Sequence, residues 1–160
     1  MSFADPQSNP FWLDDIGSNA TPVFVDIDSD GDYDEFVGSS SGTIHYFENV
    51  GTATAPSFTD AVTDPFGITT AGTHSAPAFA DLDDDGDYDL LVSRTLYQFN
   101  PYIGGFFYSR VYYQQNEGTA TAPAFTGAVT NPFDLDTGGA RDAKPTLVDI
   151  DGDGDFDFFS

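Results

Sequence analysis

Asp26-Ile27-Asp28-Ser29-Asp30-Gly31-Asp32-Tyr33-Asp34 sets an acidic residue at every second place and a glycine at the sixth. The pattern recurs as Asp81-Leu82-Asp83-Asp84-Asp85-Gly86-Asp87-Tyr88-Asp89 and as Asp149-Ile150-Asp151-Gly152-Asp153-Gly154-Asp155-Phe156-Asp157. A hard cation such as Ca²⁺ takes six to eight oxygen ligands, and carboxylates at loop positions one, three, five and nine with a carbonyl at position seven supply them. Glycine at the sixth place permits the turn that folds the loop back on the ion. On this reading Asp26, Asp28, Asp30 and Asp34 are side-chain ligands, while Asp32 gives its carbonyl and points its carboxylate outward. Asp81, Asp83, Asp85 and Asp89, with Asp87 as the carbonyl donor, form the second set; Asp149, Asp151, Asp153 and Asp157, with Asp155, form the third.

Asp and Gly also favour ordinary solvated turns. Three copies at matching places in a longer repeat argue for the cation instead. Electrostatics agrees, because unit charges about 4 Å apart repel by roughly 1 kcal/mol in water and about 4 kcal/mol at an effective dielectric of 20. A loop of four or five carboxylates therefore needs a cation to fold compactly, and the chain would take up to three Ca²⁺.

The 160 residues suffice for one domain with a real core. Acids number 27 against 4 Lys plus Arg, giving a net charge of −23. Of those 27 acids, 16 lie in the three loops, so most of the charge is cation-directed. A surface this acidic argues against nucleic acid and against anionic membranes as partners, and no run is apolar enough to insert in a bilayer. There is no cysteine, so disulfides contribute nothing. Weak extracellular calcium modules work at roughly 10⁻⁴–10⁻³ M. Three such loops favour a secreted or cell-surface location, with any export signal outside this sequence.

Aligned on the loops, the chain divides into units. Each unit opens with a short apolar strand into the loop: Pro22–Val25, Pro77–Ala80, Pro145–Val148. A second strand leaves the loop at Tyr33–Val37, Tyr88–Val92 and from Phe156 onward. A third follows at Thr43–Glu48 and Arg110–Gln115. The turn Gly51-Thr-Ala-Thr-Ala-Pro56 recurs as Gly118-Thr-Ala-Thr-Ala-Pro123 and leads to a fourth strand expected at Ser57–Thr59 and Ala124–Thr126. No useful helical period occurs, and short β-branched and aromatic segments between Gly, Pro, Asn and Asp turns predict an all-β protein. Four antiparallel strands per unit of about 55 residues is a propeller-blade pattern.

Phe36-Val37-Gly38, the downstream Pro-x-Phe of Pro56-Ser57-Phe58 and the DxDxDGxxD loops resemble the FG-GAP or VCBS repeats, whose blades build the calcium-bearing propellers of integrin α chains and many bacterial surface proteins. The resemblance implies a single repeat domain over 1–160: a terminal fourth strand of a preceding blade in 1–16, blade one in 17–71, blade two in 72–139, and a partial blade three in 140–160. Two full and two partial blades do not close a ring, so the unfinished ends are expected to meet neighbouring copies. A homo-oligomer, as a ring or a filament, is the corresponding expectation.

Blade two is longer than blade one by 12 residues between its loop and Asn116. The insertion, 94–115, holds the aromatic run Leu96-Tyr-Gln-Phe-Asn-Pro-Tyr-Ile-Gly-Gly-Phe-Phe-Tyr108 and reads as an extended hairpin or loop around Gly104-Gly105, with Tyr97, Phe99, Tyr102, Phe106 and Phe107 partly exposed. The same rings could instead cap their own blade.

Enzyme signatures are absent: no cysteine nucleophile, no G-x-S-x-G, no phosphate loop, no H-E-x-x-H. His45 falls on a strand face and His74 in a turn before a strand, neither with partners that complete a triad. Arg141 and Lys144 read as solvated cations or as partners of local acids. Asn19-Ala-Thr21 is a glycosylation sequon followed by Pro22. The chain is therefore expected to be a non-catalytic, calcium-stabilised extracellular module for adhesion or for glycan or protein recognition, or else a self-assembling structural subunit.

Overall fold

The computed structural model describes residues 5, 9, 11, 13–70, 72–135, 137 and 141–160. The strand expected at Ser2–Asp5 lies outside them apart from Asp5. Among the described residues the fold is all-β, with one short 3₁₀ turn, Pro65–Gly67, as its only helical element.

Strands β1 (Thr21–Val25), β2 (Asp34–Gly38), β3 (Ile44–Phe47) and β4 (Val62–Thr63) form an antiparallel sheet in chain order. The second sheet repeats it with β5 (Thr73–Ala80), β6 (Asp89–Asn100), β7 (Gly104–Gln114) and β8 (Val129–Thr130). Strands β9 (Thr146–Val148) and β10 (Asp157–Phe159) make the antiparallel pair that begins the third. Sequential antiparallel order follows from connections too short for a crossover.

The fourth strands differ from expectation. Phe58 and Phe125 each make one bridge, to Asn49 and Asn116, and pairing to the third strand resumes only at Val62–Thr63 and Val129–Thr130. The Asn turn described below holds the approach to each bridge, and Thr59 and Thr126 N–H donate to Glu48 and Gln115 O just past it. His74 also moves: it belongs to β5, with a left-handed φ of 55° at a bulge between Thr73 and Ala76, not to a turn ahead of the strand.

The opening strands β1, β5 and β9 stand side by side, and Pro22-Val23, Pro77-Ala78-Phe79 and Pro145-Thr146-Leu147 line one common cleft. Each opening strand is the edge of its sheet, which suits its proline, since a residue without an N–H belongs where no ladder bond is needed. Between the first and second sheets lies the core: Val25, Ile27, Phe36, Ile44, Tyr46, Ile68, Leu90, Val92 and Phe125, with Val23, Phe66, Phe79 and Tyr112 packed against it. Phe36 is fully buried and packs on Phe79 across the inter-sheet gap, ring centroids 4.6 Å apart. Burying such a side chain stabilises by about 1.5–3 kcal/mol.

Candidate metal centres

Each acidic loop joins the first strand of its unit to the second, so a tight antiparallel pair fixes both ends. The three loops share one backbone path. Their fourth residues, Ser29, Asp84 and Gly152, are left-handed at φ 58°, 60° and 78°, and their sixth, Gly31, Gly86 and Gly154, at 98°, 95° and 98°. Glycine is required at the sixth place because that φ is costly for a side chain. The first acid then folds back over the loop: Gly31, Gly86 and Gly154 donate their N–H to Asp26, Asp81 and Asp149 Oδ2 at 3.2, 3.0 and 3.2 Å. The fifth acid accepts from the seventh N–H in every copy, at 3.1, 3.1 and 3.0 Å for Asp30, Asp85 and Asp153.

This path gathers carboxylate oxygens. Asp26, Asp28 and Asp30 each bring one within 4.8 Å of the others, as do Asp81, Asp83 and Asp85, and Asp149, Asp151 and Asp153. The ninth acid is turned to a second task. Asp34 Oδ1 accepts the Asn49 N–H at 2.7 Å, and Asp89 Oδ1 accepts that of Asn116 at 2.8 Å. Asp89 Oδ2 also accepts from Leu82 N–H and from the Tyr113 hydroxyl. Asp157 Oδ2 accepts from Ile150 N–H at 3.1 Å.

The outward carboxylate expected at the seventh place is not found in the first two loops. Asp32 and Asp87 are each only 8% exposed, and one oxygen of each is buried without a hydrogen-bond partner. Asp155, in the third loop, is exposed.

Burial and crowding act together on these acids. Desolvation first, then the charges of Asp30, Asp28 and Asp26, raise Asp32; desolvation and the charges of neighbouring loop acids do the same for Asp87. Burial pushes Asp34 up to about 6 despite the Asn49 N–H. In loop one, Asp26 Oδ1, Asp32 Oδ1 and Asp34 Oδ2 are all buried without a partner. Partnerless oxygens inside a ring of like charges fit a hard divalent cation, which satisfies lone pairs and removes the repulsion together. Asp26, Asp28 and Asp30 would hold it in loop one, Asp81, Asp83 and Asp85 in loop two. Loop three has the same path but is more exposed: Ile27 in loop one is 1% exposed, whereas its counterpart Ile150 is 68% exposed.

Asn49 and Asn116 are residues the reading of the loops missed. Asn49 Oδ1 accepts from Gly51 and Ser57 N–H at 3.1 and 2.9 Å, and Asn116 Oδ1 from Gly118 and Ala124 N–H at 3.0 and 2.8 Å. Their signal was in the repeated N-x-G-T-A-T-A-P string.

The insertion forms the far half of the β6–β7 hairpin, which turns at Pro101–Ile103, just ahead of the glycine pair. Tyr97, Phe99, Tyr102, Phe106 and Phe107 are 60, 67, 93, 37 and 47% exposed, so these rings do not cap the core. The Arg141 guanidinium lies over Phe107 at 4.6 Å and contacts Asp142 at 3.4 Å. Asp142 in turn lies 3.8 Å from His74 Nδ1 and accepts from the Thr95 hydroxyl. His45, on β3, bonds Thr43 Oγ1 just ahead of that strand. Lys144 is exposed, and so is Asn19 of the sequon.

No helix among the described residues is long and apolar enough to cross a membrane. No curated protein and no solved structure matches the chain. Residues 26–92, from the first acidic loop to the strand leaving the second, do match a family, and over that span the chain is an FG-GAP-like repeat.

Proposed function

We propose that this chain is a non-catalytic, calcium-stabilised β-propeller module that works outside the cell in adhesion, recognising a glycan or a protein through the projecting hairpin of its second blade. The observation that carries the reading is the set of loop acids held by one backbone path in three copies, with buried partnerless oxygens in the first two. Each ion would pin the connection between first and second strands, so its role is structural. The opening strands gathered around one cleft support the blade arrangement. The exposed rings supply contact area that monomer stability does not require. Calorimetric titration of Ca²⁺ into metal-free protein tests the reading. More than one ion per chain and a raised melting temperature are expected; an unchanged melting temperature overturns structural calcium.

A further inference from the structure

We propose that the outer edge of β7, residues 104–108, pairs antiparallel with the same edge of a second copy, so that adhesion by this module is self-recognition. The proposal rests on the hairpin being the contact element and names its partner.

Beyond Thr95 the β6–β7 ladder continues with no other strand beside it: β5 pairs with β6 no further than Thr95, and β8 meets β7 only at Tyr112 and Tyr113. Among the described residues no strand therefore pairs with the side of β7 away from β6 at 104–108, although Arg141 packs on the Phe107 ring and Thr137 reaches the edge at Ser109. The direction of its backbone groups follows from the bonds just past that span. Val111 O accepts from Asn131 N–H and Ser109 O from the Thr137 hydroxyl, so odd-numbered residues of β7 turn their backbone away from β6. Gly105 and Phe107 thus present outward N–H and C=O groups. An unpaired strand edge is a template for another backbone, a demand that a sugar ring does not meet in register.

The edge is complementary to itself. A two-fold axis through Phe106 sets Gly105 of one copy opposite Phe107 of the other, and both members of that pair have outward groups to exchange. Gly104 then faces Tyr108. The hairpin already contains such a match, since Phe99 stands opposite Gly105 in the β6–β7 ladder and the Tyr97 ring covers that glycine. An isologous contact of this kind closes at two copies.

Charge selects the same place. The chain carries −23, yet no acid occurs between Asp89 and Glu117. Arg110, at the foot of the free edge, falls beyond the paired span and does not meet its own copy. Copies that repel elsewhere can meet at this acid-free tip. Among the described residues the only charges against the paired rings are the Arg141 guanidinium over Phe107 and that of Arg110 over Tyr108, and the acidic loops stay at the other end of β6.

Sedimentation velocity over a concentration series in calcium tests the proposal, using the full chain, Phe107→Pro and Phe107→Lys. Phe107 N–H faces outward, so proline there removes an edge donor without breaking the β6 ladder, while lysine places like charges at the contact. The expected result is a shift of the wild-type boundary from monomer to dimer mass as concentration rises, and loss of that shift in both variants with their calcium-dependent melting unchanged. A wild type that stays monomeric throughout overturns self-pairing. So does a dimer that persists in both folded variants, or a monomer that binds a glycan array through the same rings. The calcium melting curves of the same samples report on the structural-calcium reading separately.

Discussion

Asn49 donates its backbone N–H to Asp34 Oδ1 at 2.7 Å, and by this one bond the last acid of the first loop is tied to the end of the third strand. The same asparagine receives two N–H groups from the turn that follows, and Asn116 repeats the arrangement on Asp89. The loop and the turn toward the fourth strand are thereby one hydrogen-bonded unit, repeated in both complete sheets.

Asn49→Ala removes the acceptor of those two N–H groups and leaves them unsatisfied in a part-buried site. The expected loss is about 1–3 kcal/mol, read as a lower urea midpoint with an unchanged m-value. Asn116→Ala should behave alike. A variant as stable as wild type would show that water replaces the side chain.

The loops were legible in the sequence because a ligand-gathering turn is local: alternating acids with glycine at the sixth place describe nearly the whole path. What alternation misjudged was Asp32. Left-handed residues at Ser29 and Gly31 break the two-residue period, so the seventh side chain turns inward instead of out. The fourth strands are more broken than expected for a different reason. Ser57–Thr59 does meet the end of the third strand, with Val50 N–H donating to Ser57 O and Thr59 N–H to Glu48 O, but Asn49 Oδ1 takes the Ser57 N–H, so this contact stays a single bridge and ladder pairing with β3 is left to Val62–Thr63. The aromatic hairpin was legible as an extension, whereas its free edge emerged only from register.

The inward turn of Asp32 reverses what position alone would suggest for its mutation. Its carboxyl adds charge to a site already crowded by Asp26, Asp28 and Asp30. Asp32→Asn should raise the melting temperature of the metal-free protein and narrow the gap between metal-free and calcium-loaded curves. An unchanged gap in differential scanning calorimetry would place the Asp32 carboxylate outside the ion's reach.

The three sites should not be equal. Asp28→Ala acts in a loop anchored by buried Ile27, whereas Asp151→Ala acts where Ile150 is exposed. The first is expected to lower the calcium-loaded melting temperature by several degrees and the second by much less, because a bound ion stabilises only the structure it holds together. Titration should accordingly show the third site as the weakest.

Stability should depend on pH with opposite sign in the two metal states. Burial raises the Asp34 carboxyl from 3.8 to about 6, so without metal the folded chain holds a proton that the unfolded chain releases. Between those values the folded state binds more protons, and metal-free stability rises as pH falls from about 7.5 toward about 5. With calcium bound the carboxylates must stay ionised, so protons compete with the ion and stability falls over the same range. Thermal melts of dialysed and calcium-loaded protein across that window should converge at the acid end; parallel curves would sink the assignment.

The seam between the first two sheets offers a last test, independent of metal. Gly38, at the end of β2, lies so close to the Ser75 carbonyl of β5 that a Cβ there would collide with it and with Thr21 Oγ1. Around this contact Ser39 N–H donates to Ser75 Oγ at 3.1 Å, Ser75 N–H to Ser39 O at 3.1 Å, and Thr21 Oγ1 to Ser75 O at 2.8 Å. The colliding atoms are backbone and a bonded hydroxyl, so neither can swing aside cheaply. Gly38→Ala should force the sheets apart and cost about 1–3 kcal/mol or more, with these bonds lengthened together. Faster amide exchange at Ser39 and Ser75, with protection retained inside β6 and β7, is the expected signature. Uniform loss of protection across both sheets would mean instead that the two blades fold only as one unit.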